Sequence, residues 1–256
     1  MTENVKTQGE NVAQPQTDEY IIANLIKNLP KQDAVPVELP SKNKFYGLVN
    51  DSLPVTLRPM TFQDEKALVS NKNVQVDSLN LLLERCVSNI NIGKLLLMDK
   101  LYLIMKLREV SYGSEYTVAI NCPQCRKENK ITFDLTHLNV KYVEDDFTVP
   151  VAVKLPVLKK TVKVILPRVS DEQYLQNAEI SSSNMWRFIE EIDGHTKKTI
   201  ISGVLQKLPI QDIHAILKTL NSEKYGIDPN VRFACSYCSH HEVTELPITS
   251  DFFTGN

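Results

Sequence analysis

Four of the five cysteines fall in two CxxC pairs, Cys122-Pro123-Gln124-Cys125 and Cys235-Ser236-Tyr237-Cys238. Two thiolates on a tight turn offer half of a tetrahedral shell, and two such turns complete the S4 set that closes a structural Zn²⁺ site. Common zinc ribbons set their half-sites roughly 15–20 residues apart. Here Cys122 and Cys235 are 113 positions apart. Either the pairs serve separate sites, or the chain returns across its length to close one.

The expected ligands are therefore Cys122, Cys125, Cys235 and Cys238, holding structural zinc. Two other chemistries use the same residue types. A dithiol redox centre normally sits at a helix N-terminus that lowers one thiol pKa, whereas β-like or polar residues follow both pairs here. A disulfide needs an oxidising compartment, and residues 1–19 are polar, without the apolar core of a secretory leader. His240 and His241 lie close enough to the second pair to substitute as ligands, though their setting also suits strand residues. Cys86 falls in the helical pattern of Leu79–Val87 and reads as a small buried apolar residue.

Other reactive constellations are missing from the sequence. There is no Gly-rich phosphate loop, no HExxH and no GxSxG. His137, His195 and His214 have no nearby carboxylate or nucleophile at a defensible spacing. Asp64-Glu65 and Asp171-Glu172 resemble acid–base pairs, but each falls in the first turn of a predicted helix, where the dipole favours acids. Asp145-Asp146 reads as linker charge. A closed S4 shell leaves zinc no open position for catalysis. The expectation is no enzyme.

The elements that must position the cysteines are legible on either side of them. Tyr116–Ile120 and Lys130–Phe133 read as strands around the first pair, Asn230–Ala234 and Glu242–Leu246 around the second. Earlier, residues 1–18 are too polar to order themselves, and Tyr20–Ile26 suits one short helix. Leu29–Pro40, with Pro30, Pro36 and Pro40, should run extended, into a turn-rich stretch ending in Phe45 and Tyr46. That segment could pack on its own domain or add to a partner. Pro54–Arg58 alternates like a strand, and Thr61 then caps a helix running to about Ser70. Asp77–Val87 and Gly93–Val110 follow the helical period, with Asp99 and Lys100 outside the apolar stripe of the second. Tyr112-Gly113 stops that helix.

The pattern then recurs. Val162–Leu166 is a predicted strand stopped by Pro167, with Ser170 as cap before Asp171-Glu172. Trp186, Phe188 and Ile189 are placed on a helix as core residues, with Trp186 also a candidate interface anchor. The helix Ile210–Leu220 carries Asp212, 113 residues after Asp99; Tyr225-Gly226 follows Tyr112-Gly113 at the same offset, as do both cysteine pairs. The fold class expected is α+β, internally duplicated into strand–helices–CxxC hairpin halves joined by a four-cysteine, zinc-ribbon-like site. The boundaries are a weakly ordered segment 1–34, a first half 35–145 and a second half 146–256. A pseudo-twofold would bring the hairpins together on one Zn²⁺, so that metal binding becomes folding energy.

Composition sets the outer limits. The 256 residues carry 29 Lys and Arg against 31 Asp and Glu, a net charge of −2, with 42% hydrophobic residues. This suits a globular chain and offers no electrostatic footprint for nucleic acid. No run approaches the 18 or so apolar residues of a membrane span; Leu95–Met98 is broken by Asp99 and Lys100.

The stretch Leu39-Pro-Ser-Lys-Asn-Lys-Phe-Tyr46, followed by Val55-Thr-Leu-Arg-Pro-Met-Thr61 and Asp64-Glu65, resembles the N-terminal signature of the T4-type bacteriophage baseplate family. So does Asp99–Gly113 running into Cys122-Pro-Gln-Cys125. The usual Gly of the LPSxG-like element is Asn43 here, a residue that also tolerates the left-handed conformation. The resemblance covers roughly residues 35 to 250. It implies a non-enzymatic protein of a contractile phage tail, tied to the baseplate hub as a component or an assembly factor. Its partners would be other baseplate and hub proteins, and its location the virion baseplate or the host cytoplasm during assembly. The competing reading is a nucleic-acid-binding zinc-ribbon module, for which Arg126-Lys127, Lys159-Lys160 and Lys197-Lys198 are the basic pairs available.

Overall fold

The strand-forming runs on either side of each CxxC do pair, and the rest of the chain is arranged to bring the two hairpins together. The computed structural model describes residues 17–27, 33–46, 53–70, 75–221, 225–248 and 250–253. Residues 1–33 form one unit and residues 34–256 another. In the first, α1 (Asp18–Lys27) covers the helix expected at Tyr20–Ile26, and none of its residues is buried. Asp18 and Glu19 in its first turn and Lys27 in its last match the helix dipole. The polar stretch before Thr17 lies outside the described residues.

The larger unit begins with β1 (Val35–Pro36), β2 (Thr56–Leu57), α2 (Phe62–Ser70), α3 (Gln75–Cys86) and β3 (Val87–Ser88). Then come α4 (Leu97–Tyr112), the hairpin β4 (Glu115–Asn121) and β5 (Glu128–Asp134), and β6 (Val140–Lys141). The chain continues through β7 (Val151–Lys154), β8 (Thr161–Val164), α5 (Ala178–Asn184), β9 (Ile189–Ile192), α6 (Lys198–Leu205) and α7 (Ile210–Leu220). It closes with β10 (Gly226–Ile227) and the hairpin β11 (Asn230–Ala234) and β12 (His241–Glu245). The content is α+β.

Two three-stranded antiparallel sheets, β1-β2-β3 and β7-β8-β9, share one strand order. In each the middle strand is the second in the chain, helical segments separate it from the third, and a helix leads from the third toward a CxxC hairpin. There are two cores, and β7 reaches both, with Val151 in the first and Val153 against each. Leu57, Leu83, Leu96, Leu103 and Leu107 belong to the first, with Phe252 and Phe253 from the chain's end. Leu155, Val164, Ile189, Ile201 and Ile216 belong to the second. Burying a side chain such as Leu103 or Ile216 contributes about 1.5–3 kcal/mol. Antiparallel pairing of β6 with β10 links the stretches before and after residue 145. Among the described residues no helix is long and apolar enough to cross a membrane.

Several expectations need correction. The helix expected over Gly93–Val110 is broken: Ile92–Lys94 is a 3-10 turn capped by the Asn91 side chain, and α4 starts only at Leu97. The extended Leu95-Leu96 is used instead in a bridge to Arg168. Asp99 and Lys100 are buried rather than outside the apolar stripe. The Leu39-Pro40-Ser41 turn covers Asp99, and Glu172 meets Lys100 at 2.5 Å; neither partner is visible to helical periodicity. Ser170 is not a cap. Asp171 takes the N–H of Arg168 at 2.9 Å, and Val169–Tyr174 is 3-10 rather than α-helical. Trp186 and Phe188 lie in a 3-10 turn and Ile189 opens β9; Phe188 and Ile189 are buried and Trp186 packs on the second core.

The Tyr-Gly pairs part company. Gly113 ends α4 with φ 90°, its N–H bonded to Glu109 O. By contrast, α7 has already ended at Leu220, and Gly226, at φ 112°, opens β10. An ideal Cβ on Gly226 would meet Met98 Cε at 2.6 Å, so glycine is required there by close approach to α4.

Candidate metal centre

The β4–β5 ladder runs from Glu115↔Asp134 to Asn121↔Glu128, and β11–β12 from Asn230↔Glu245 to Ala234↔His241. Each hairpin delivers its CxxC at the turn. Cys122 N–H donates to Lys127 O at 3.0 Å, and Arg126 N–H returns to Cys122 O at 2.8 Å. The second turn repeats this, with Cys235 N–H to His240 O at 2.8 Å and Ser239 N–H to Cys235 O at 2.9 Å. Arg126 and Ser239 take the left-handed conformation, at φ 60° and 58°. The leading cysteine of each pair is buried, while Cys125 is half-buried and Cys238 exposed.

The two turns face each other, so the four sulfurs lie within 4.8 Å of one another. Cys122 Sγ is 3.7 Å from Cys238 Sγ, and Cys125 Sγ is 3.6 Å from Cys235 Sγ. A tetrahedral Zn–S bond of about 2.3 Å implies S–S edges of about 3.8 Å. These separations are far too long for a disulfide. The donor set therefore fits zinc, the four sulfurs form one cluster and not two, and neither pair opens a helix as a redox dithiol would.

The electrostatics agree. Desolvation pushes the Cys235 thiol up, but the N–H groups of Tyr237 and Cys238 and the Asn129 side chain outweigh it and bring the pKa to about 6. At Cys238 the His240 N–H favours the thiolate, yet desolvation and the sulfurs of Cys125, Cys235 and Cys122 hold it up at about 12. Four clustered sulfurs cannot all ionise beside one another without a cation.

Asn129 is the supporting residue that spacing did not reveal. It is buried in β5; its Oδ1 accepts the Ser236 N–H at 2.9 Å while its Nδ2 donates to Lys127 O at 3.0 Å. One side chain thus ties both CxxC turns. The sequence carried no signal for it, because Asn129 lies just before the strand expected at Lys130–Phe133 and its partner Ser236 is 107 residues away. Tyr237, 60% exposed, lies under Lys127 Nζ at 4.7 Å from the ring centroid. The candidate alternates His240 and His241 are not in the cluster; His240 instead meets Glu242 at 3.1 Å, and His241 opens β12.

A third turn of the same build exists without cysteines. Between β7 and β8, Leu155 N–H donates to Lys160 O at 2.9 Å and Lys159 N–H to Leu155 O at 3.1 Å, with Lys159 at φ 61°. Leu155 and Leu158 stand where the CxxC turns have cysteines. The amides that would point at a thiolate, Val157 and Leu158 N–H, are taken by the buried carboxylate of Asp212 at 2.7 and 3.0 Å. Asp99 is the third residue of α4 as Asp212 is of α7. It accepts the Ser41 N–H at 3.1 Å and the Tyr46 hydroxyl. Burial holds Asp99 above the usual carboxylate range.

No curated protein and no solved structure matches the chain. A family model described as T4 bacteriophage base plate protein matches residues 31–254, a span that includes both CxxC hairpins and both sheets. The chain belongs to the T4-type bacteriophage baseplate family.

Proposed function

We propose that this chain is a non-enzymatic structural or assembly component of a contractile-tail baseplate hub, stabilised by one structural zinc on Cys122, Cys125, Cys235 and Cys238. The observation that carries the reading is the meeting of four sulfurs from hairpins 113 residues apart, in a chain of the baseplate family. A metal there staples the middle of the chain to its last hairpin, and its binding stabilises the folded state directly. An S4 shell has no open position for substrate. A cavity of about 320 Å³ beside α4 and α7 is lined, among the described residues, mostly by apolar side chains that include Leu97, Met98, Leu166 and Leu217. Both features suit a protein that works by binding partners in the tail.

The halves descend, on this reading, from a duplicated unit. What supports this is the common strand order of the two sheets, the matched turns on the CxxC hairpins, and Asp99 and Asp212 each gripping a Leu-Pro turn. The nucleic-acid reading has less behind it. On the hairpins Arg126, Lys127, Lys130 and Arg232 alternate with Glu115, Glu128, Asp134, Glu242 and Glu245, a mixed surface and not a basic face.

The test is deletion in the encoding phage, with mass spectrometry of purified tails. Baseplates that stall without the protein support the reading, and its presence or absence in finished tails separates component from assembly factor. Normal tails in its absence would refute it. Metal analysis of purified protein addresses the zinc: one per chain is expected in wild type, and none in Cys235→Ser.

A further inference from the structure

A junction inside this chain has an unfilled counterpart on its surface. At the start of α4, Leu97 donates its N–H to Pro167 O at 3.2 Å, and Val169 donates its N–H to Leu95 O at 2.9 Å. Leu95, Leu96 and Val169 are buried by this bridge, and the Arg168 guanidinium adds bonds to Lys94 O and to Phe45 O.

Both sides of the junction recur elsewhere in the same local geometry. An extended Pro209 leads into α7, whose third residue Asp212 grips its turn as Asp99 does, so Ile210 corresponds to Leu97. The exit from β2 is built like the exit from β8. Arg58 N–H donates to Cys86 O as Ile165 N–H does to Phe188 O, and Asp64 takes the Thr61 N–H as Asp171 takes that of Arg168. In that register Met60 and Phe62 correspond to Pro167 and Val169. Yet these counterparts do not meet within the chain. Phe62 is 77% exposed and Ile210 65%, the two most exposed large hydrophobic residues described between residues 34 and 256. Val157 and Leu158, held beside α7 by Asp212, are exposed as well.

We propose that a second copy of this chain fills the gap, with Ile210, Val157 and Leu158 of one protomer docking on Met60 and Phe62 of the next. Ile210 N–H then donates to Met60 O, and Phe62 N–H to Leu208 O. Each is a first-turn amide with no acceptor inside its own helix. The contact joins two different surfaces, so it is head-to-tail and can propagate into a ring or a short filament. The contact needs no metal, so it stands or falls independently of the zinc reading.

The test is analytical ultracentrifugation of the full chain across concentration, with Ile210→Asp, Phe62→Asp and their equimolar mixture; circular dichroism checks that each variant folds. Wild type is expected to form concentration-dependent species larger than a monomer. Each variant alone should lose them. The mixture should recover a dimer and stop there, because one intact donor surface meets one intact acceptor. A wild type that is monomeric at every concentration overturns the proposal and points to a different baseplate protein as the occupant. Association that survives either substitution, or folded variants whose mixture stays monomeric, also overturns it.

Discussion

Asn129 of β5 accepts the N–H of Ser236, 107 residues away, at 2.9 Å, so a strand of one hairpin satisfies the turn of the other. The hairpins are thus joined by protein as well as by any metal. Asn129→Ala is expected to strand that amide and to leave Lys127 O with the Cys122 N–H alone, costing about 1–3 kcal/mol in urea denaturation. Asn129→Asp keeps an acceptor but sets a negative charge beside the sulfurs. It should weaken zinc retention further than alanine does, read by competition with a chromophoric chelator. Equal retention in the two variants would show that Asn129 acts on the turn alone.

Zinc binding should release protons. With the sulfurs of Cys125, Cys235 and Cys122 among the groups that hold the Cys238 thiol up at about 12, binding at neutral pH displaces at least one proton, and apparent affinity falls as pH falls. Calorimetry in buffers of different ionisation enthalpy reads the number directly. A chelator should lower the melting temperature of wild type and leave that of Cys235→Ser unmoved.

Asp64 gives the fold an acid-sensitive anchor. Burial alone would raise its pKa, but bonds from Arg58, from the Thr61 N–H and hydroxyl, and from Arg85 hold it well below the usual carboxylate range. The folded value lies below the unfolded one, so the stabilisation is complete above about pH 5 and fades as pH falls toward the folded pKa. It amounts to about 2 kcal/mol. Asp64→Asn should therefore lower stability at pH 7 and flatten its loss between pH 5 and pH 2, measured by urea denaturation at each pH. Parallel pH curves for the two proteins would rule this anchor out.

Asp212 replaces a thiolate as the acceptor for two turn amides. Asp212→Ala leaves the Val157 and Leu158 N–H groups without it, with an expected loss of about 2–4 kcal/mol. Hydrogen exchange should locate the loosening at residues 155–160, while zinc content stays at the wild-type level.

Gly226 is held at φ 112° against Met98. Gly226→Ala adds a methyl 2.9 Å from Met98 Cβ, which cannot swing away as a side-chain tip can. A loss of about 2–3 kcal/mol is expected from strain and clash together. Met98→Ala in the same chain should restore part of it.

The sequence by itself determined the hairpins, because a CxxC turn with β-rich flanks is local chemistry: Cys122–Lys127 and Cys235–His240 close on their own backbone bonds. Helix α2 was legible from its start signal at Thr61, α3 from its apolar period, and α7 from its offset to the helix of Asp99. Tertiary structure decided what local pattern does not encode. It brought Cys122 to Cys238 and Cys125 to Cys235, and it made Asn129 a partner of Ser236. It also buried Asp99, Lys100 and Asp212, polar residues that a helical stripe assigns to solvent. Their partners Ser41, Glu172 and Val157 lie 58, 72 and 55 residues away. A buried charge depends on what packs over it, and that is settled only when distant segments meet.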